Sequence, residues 1–271
     1  MFPSTRDQRA FTLVELLVSM VILGAIILLL TQLFNGVLLT TGPSHKHMDA
    51  DGQARMVLDR IAFDFAGMLR RDDVDYSLAQ ISGTDSISFY SEVQGYGLSR
   101  SVSVVGYRIN SQYQLERAAK GMDWSSVSFI PFVSGSQIQT LARPNTLPAL
   151  SGTDFQVLGD QVFRFQVCYL VTGSTTGMTA LTTKPPASRV NLQAIVVGIG
   201  VLDGRSRLVV SPAQMQALAN TLRDPVDGEE PATVWNNIIL RVDRSAAFPP
   251  SGMPQAAASA VRIYQRYYYL Q

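Results

Sequence analysis

Residues 9–34 read RAFTLVELLVSMVILGAIILLLTQLF, and everything else in the chain is organised around them. From residue 16 to residue 34 there are 19 positions without a charge, and the apolar character continues to Leu39. At about 1.5 Å per residue a helix of that length spans roughly 29 Å, close to one bilayer hydrocarbon core. Leu, Ile and Val dominate, and Gly24 is the only breaker candidate inside. A secretory signal has a shorter apolar region, about 7–15 residues, followed by a small-x-small cleavage site. The NGVLLTTG that follows offers no good site of that kind. The stretch therefore predicts a spanning helix. Arg6 and Arg9 precede it, so the positive-inside rule keeps the N-terminus cytoplasmic and sends the remainder across.

Glu15 is the one carboxylate in the stretch. At the headgroup edge, close to Arg9, it would cost little; deeper, such a group is expected to be paired or functional. Its neighbours sharpen the choice. Arg9-Ala10-Phe11-Thr12-Leu13-Val14-Glu15-Leu16 resembles the prepilin processing site of type IV pilins and type II secretion pseudopilins. The resemblance implies a short basic leader cut between Ala10 and Phe11, N-methylation of Phe11, and Glu15 as the fifth residue of the mature chain. The family usually has Gly before the cut, and this chain has Ala10. An ammonium at Phe11 and a carboxylate at Glu15 can neutralise one another between adjacent subunits in a helix bundle, which sets their axial stagger. Removing either would strand the other in lipid at a cost of several kcal/mol.

Beyond the span, Gly42-Pro43 predicts a break or kink, with Ser44 able to cap a new start. Ala54, Leu58, Ile61, Phe65 and Leu69 then recur on one helical face, with Arg55, Asp59, Arg60 and Asp64 on the other sides. Arg70-Arg71 suit the negative end of the helix dipole.

After Asp73 the texture changes to short β-branched and aromatic runs punctuated by Gly, Ser and Pro. SISFYSEV, SVSVVGYRI, SVSFIPFV, QVFRFQVCYLV, VNLQAIVVGIGVL and AVRIYQRYYYL read as strands. In VFRFQVCY, Phe163, Phe165, Val167 and Tyr169 share one face and Arg164 and Gln166 the other, as in a half-buried antiparallel strand. IVVGIGVL is uniformly apolar and reads as a central strand. Two helices interrupt the strands. SPAQMQALANTLRD has Ser211 as cap, Pro212 at the first position and Gln214 closing a capping box; ATVWNNIILRV puts Val234, Ile238 and Val242 on one face. Residues 140–153 and 173–188 read as loops. The fold class is α+β: a long N-terminal helix, transmembrane in its first half, packed on a mainly antiparallel sheet head. ARMVLDRIAFDFAGMLRRDD, YGLSRSVSVVGYRI, LER and RFQVCYL resemble, in order, the layout of the J-type minor pseudopilin of type II secretion. The likeness is closer to the pilin-like Verru_Chthon cassette proteins of C type, whose ending is similar to AVRIYQRYYYL.

Composition narrows the function. Lys and Arg number 22 against 21 Asp and Glu, which is not the basic stripe of a nucleic-acid binder. A single cysteine, Cys168, excludes an intramolecular disulfide and a Cys-rich zinc site, and in its strand it reads as a buried inert thiol. His45 and His47, the only histidines, sit at the membrane exit and leave the head without a Ser-His-Asp or Cys-His pair. On a helix they diverge, so a solvated pair is expected rather than a metal site. Lys46, Lys120 and Lys184 are not in a Ser-x-x-Lys setting, no P-loop occurs, and GIGVLDG lacks the glycine spacing of a dinucleotide turn. Asp72, Asp73 and Asp75 could do acid–base work or hold calcium through hard oxygens, but at a helix end they read first as a solvated cap region. Tyr264, Tyr267, Tyr268, Tyr269, Trp124 and Trp235 read first as core packing and second as an interface with another subunit.

These readings give a basic leader over residues 1–10, a transmembrane helix over 11–43, and an amphipathic helix plus β-rich head over 44–271. The resemblance implies a pilin-like, non-enzymatic structural subunit without cofactor, minor and J-like, in the cytoplasmic membrane with its head outside. Its implied partners are sibling pilin-like subunits, a prepilin peptidase, an inner-membrane assembly platform and the lipid bilayer. The alternative is an adhesive or ligand-binding module that uses the helix only as a tether.

Overall fold

The computed structural model describes residues 13–69, 76–81, 84–96, 102–121, 150–173, 179–186, 191–243 and 247–270, with backbone alone at 35–47 and 76–81. Helix α1 covers Leu13–Ala66. The chain divides into two compact units, Met1–His45 and Lys46–Gln271, and α1 contributes to both. The helix does not end at Gly42-Pro43, where the sequence predicts a break or kink. Proline withdraws one donor from the ladder, and strongly helical flanks on both sides carry the helix past one missing bond.

In the second unit the strands form two antiparallel sheets, where the sequence suggested one sheet-based head. The first runs in chain order: β1 (Tyr76–Ile81), β2 (Thr84–Ser91), β3 (Ser103–Ile109), β4 (Leu115–Gly121) and β5 (Phe155–Gly159). The second contains β6 (Val162–Thr172), β7 (Thr179–Thr182), β8 (Leu192–Leu202) and β9 (Val261–Tyr269) in the order β7-β6-β8-β9. β8 is central, as its apolar run predicts. β7 falls within a stretch read as loop, and SVSFIPFV lies outside the described residues.

The main core joins the second-unit part of α1 to both sheets. Val57, Ile61 and Phe65 pack with Ile87, Phe89, Val105 and Tyr107 of the first sheet and with Phe165, Val167, Ile195 and Val197 of the second. The Phe65 and Phe89 rings stack at 4.8 Å. A second core lies on the opposite face of β6 and β8, under α3 (Pro212–Thr221) and α4 (Pro231–Ile239), with Trp235 and Leu218 fully buried. α2 (Gly204–Val209) and α5 (Gln255–Ala258) are short.

The second core overturns the reading of β6 as half-buried. Arg164 and Gln166 are buried along with their neighbours: Arg164 lies over the Trp235 ring of α4, and Gln166 meets Asp85 of β2. Phe163 also leaves the face of Phe165. A register shift between Val162 and Arg164 turns it into the helix-side core. Gly198 supports the same packing, since a Cβ there would stand 2.6 Å from the Pro231 Cβ of α4. Glycine in β8 thus serves a close approach between helix and strand.

α3 forms as its sequence signals. The Gln214 amide N–H donates to Ser211 Oγ at 3.3 Å, and the Ser211 N–H donates to Gln214 Oε1 at 2.8 Å. Ser211→Ala should cost about 1 kcal/mol of head stability, read as a lowered urea midpoint, since one cap is lost and nothing buried changes. α4 is capped by Leu240, Arg241 takes φ 59°, and Val242 lies beyond the helix and exposed, off the apolar face assigned to it.

Candidate functional site: the N-terminal apolar helix

Within Leu13–Phe34 the most apolar 18 residues have a mean hydropathy of 2.9, and none of them is buried inside the protein. Leu13, Met20, Leu28 and Leu33 are 65–85% exposed, and Val14, Leu17, Val21 and Phe34 are exposed too. Soluble monomers rarely show contiguous apolar patches beyond a few hundred Å². A helix apolar all round and open all round is built for lipid, for other helices, or for both in turn. Its hydroxyls are satisfied within the helix: Ser19 Oγ donates to the Glu15 carbonyl at 2.7 Å, and Thr31 Oγ to the Ile27 carbonyl at 2.8 Å. Glu15 occupies the first turn of α1, where a carboxylate complements the positive end of the dipole.

Ala10 and Phe11 lie outside the described residues, as do Asp72, Asp73 and Asp75. His45 and His47 are placed by backbone alone. Among the described residues no group of three or more His, Cys, Asp or Glu is arranged to hold a metal ion. Cys168 is buried, and burial pushes its thiol up to about 12, with Asp85 adding to the effect.

Beside the apolar core, a residue the sequence placed off the apolar face of α1 fastens the helix to the head. Asp64 is fully buried. Its carboxylate accepts from Arg117 Nε at 2.6 Å and Arg117 Nη2 at 2.8 Å, and from the Tyr107 hydroxyl. Arg60 Nη2 stands 3.4 Å away, and the Asp64 carbonyl accepts from Ser91 Oγ at 2.7 Å. Burial raises the Tyr107 hydroxyl, and Asp64 raises it further, so it stays a donor. For Arg117, burial pulls downward and the bond and charge of Asp64 outweigh it, leaving the guanidinium raised. One acid therefore ties α1 to β2, β3 and β4. β9 fastens to α1 as well: Tyr268 donates to the Leu58 carbonyl at 2.9 Å, Arg266 Nη1 to Asp59 at 2.5 Å, and Tyr264 to Asp51. Tyr267 donates to Glu230 and stacks on the exposed Tyr269 ring at 6.2 Å.

Residues 5–31 match the prokaryotic N-terminal methylation motif. No curated protein matches the chain. Among solved structures, a type IV-like pilin from Thermus thermophilus aligns over 82% of this chain and 94% of its own, at 14% identity and a TM-score of 0.33. The start of the apolar helix, from Leu13 to Thr31 with Glu15 in its first turn, thus lies within the residues that match the prokaryotic N-terminal methylation motif.

Proposed function

We propose that the chain is a pilin-like structural subunit, minor and J-like, of a type II secretion or type IV pilus-related filament. Residues 1–10 are its leader, 11–43 its membrane helix, and 44–271 the helix-backed head. A prepilin peptidase cuts between Ala10 and Phe11 and Phe11 is N-methylated. Arg6 and Arg9 hold the leader in the cytoplasm, and the head lies outside the cytoplasmic membrane. The subunit works by assembly and not by turnover. At an inner-membrane platform the helix leaves lipid for a bundle of sibling helices, and Glu15 meets a neighbour's Phe11 ammonium. The observation that carries this reading is the coincidence of the methylation motif over residues 5–31 with an apolar helix exposed on all sides.

Mass spectrometry of the mature chain should find methylated Phe11 at its start. Glu15→Ala should leave membrane insertion intact and lower the yield of cross-linked complexes with sibling subunits. A mature chain retaining Met1, or normal assembly by Glu15→Ala, would overturn the reading.

A further inference from the structure

A groove of about 620 Å³ opens in the head between the β3–β4 hairpin, the start of β2 and one face of α3. That volume falls within the range of about 300–1,000 Å³ typical of small-ligand sites. Among the described residues lining it, none carries a charge. Thr84, Ser111, Gln216 and Asn220 supply hydroxyls and carboxamides, and Tyr113 supplies a ring. Without a charged side chain on its wall, the groove has no direct coulombic anchor for a phosphate, a carboxylate or a metal ion. With half its lining able to hydrogen-bond, it is a poor seat for an acyl chain.

The hairpin that delivers Tyr113 is built at some cost. Its N–H donates to the Asn110 carbonyl at 3.0 Å, closing a turn, and the Asn110 N–H donates to the Gln114 carbonyl at 3.0 Å. Asn110 Oδ1 accepts from the Gln112 and Gln114 N–H groups at 3.0 and 2.9 Å, so the loop is pinned from within. Arg207, reaching across from α2, donates to the Gln112 carbonyl. In this frame Tyr113 takes φ 56°, the left-handed position that hairpins of this kind normally give to Gly or Asn. For a bulky side chain that conformation is strained. The strain holds a half-buried aromatic ring at the groove, and Asn110, whose carboxamide also bonds Glu116 at 3.0 Å, is spent on holding it there. On the facing wall Ala213, Gln216 and Asn220 recur at helical spacing along α3, with Gln216 and Asn220 exposed and uncommitted to the hairpin.

We infer that this groove binds a neutral saccharide, whose hydroxyls meet Ser111, Gln216 and Asn220 and whose apolar ring face meets Tyr113. Carboxamides and hydroxyls both donate and accept, as vicinal sugar hydroxyls do, and an aromatic ring complements the C–H face of a pyranose. With no ion pair to add, affinity is weak, with Kd about 0.1–10 mM. The site is independent of filament assembly, and a Glu15→Ala chain should bind as the parent does.

The test is titration of the full chain in lipid nanodiscs with maltotriose, cellotriose and tri-N-acetylchitotriose, followed by saturation-transfer NMR. At least one sugar should bind. Tyr113→Asn, which suits a left-handed backbone, should weaken binding about tenfold while the thermal midpoint holds, since strain relief offsets lost ring burial. The Gln216→Ala/Asn220→Ala pair, on an exposed helix face, should weaken it by a similar factor without touching stability, and decides the matter if Tyr113→Asn does not fold. The site is refuted if none of the three sugars binds at about 50 mM, well above the expected Kd range, or if binding survives both sets of changes.

Discussion

Asp64→Ala should destabilise the head by about 3–5 kcal/mol, the usual cost of removing one member of a buried ion pair and leaving the other without its partner. Arg117 would then keep a guanidinium largely out of water with both of its Asp64 bonds gone, and Tyr107 would keep a buried hydroxyl without its acceptor. In a head of this size that loss should lower the thermal midpoint by about 10 °C. The exposed pair makes the control. Asp59 and Arg266 approach to 2.5 Å, but their side chains are 57% and 46% exposed, so Asp59→Ala should cost less than about 1 kcal/mol. Replacing Asp64 and Arg117 together with Leu should recover much of the loss, because no charge is left stranded. Urea unfolding of the four proteins checks the set. An Asp64→Ala midpoint equal to that of Asp59→Ala would show that the clamp does not hold α1 to the sheet.

The second large effect depends on pH. Asp85, at the start of β2, is 2% exposed and bridges the two sheets. Its Oδ2 accepts from Gln166 Nε2 at 2.6 Å and from the Val167 N–H of β6 at 2.9 Å. β7 pairs β6 only from Tyr169 to Thr172, so the carboxyl takes an N–H on an edge that no described strand covers at Val167. Burial raises Asp85 to about 7; the Val167 bond opposes this, Asp224 adds to it, and Arg164 opposes it. Cys168 and Asp227 stand nearby, the thiol kept protonated by its own burial. The folded chain therefore holds a proton on Asp85 that the unfolded chain releases near 3.8. Between those two values stability should fall as pH rises, by about 4 kcal/mol in all from this group, and level off above neutral. Asp85→Asn keeps an oxygen that can accept both bonds and carries no charge. It should flatten this part of the profile and be more stable than the parent at pH 8. Urea midpoints of the two proteins between pH 4 and 8 test this; parallel profiles would rule it out.

Some of this protein is plain in one dimension. The apolar rod over Leu13–Phe34 needs only composition and length, because lipid or other helices satisfy it on every side alike. The Ser211–Gln214 capping box and the apolar face Ala54, Leu58, Ile61, Phe65 are local patterns that the chain meets within a few residues. The central position of β8 follows from its unbroken apolar run. What the tertiary structure alone decided concerns polar groups. Asp64 and Arg164 each stand in a pattern that puts them off the apolar face, and Asp85 stands in no pattern at all. Asp64 goes inside because Tyr107 and Arg117, 43 and 53 residues away, arrive to meet it, and Asp85 because Gln166 and Val167 arrive from 81 and 82 residues away. Arg164 goes inside because α3 and α4 cover its face and Asp224 reaches its guanidinium. A charge is buried only where a distant partner offsets its desolvation, and periodicity over a dozen residues carries no trace of that partner.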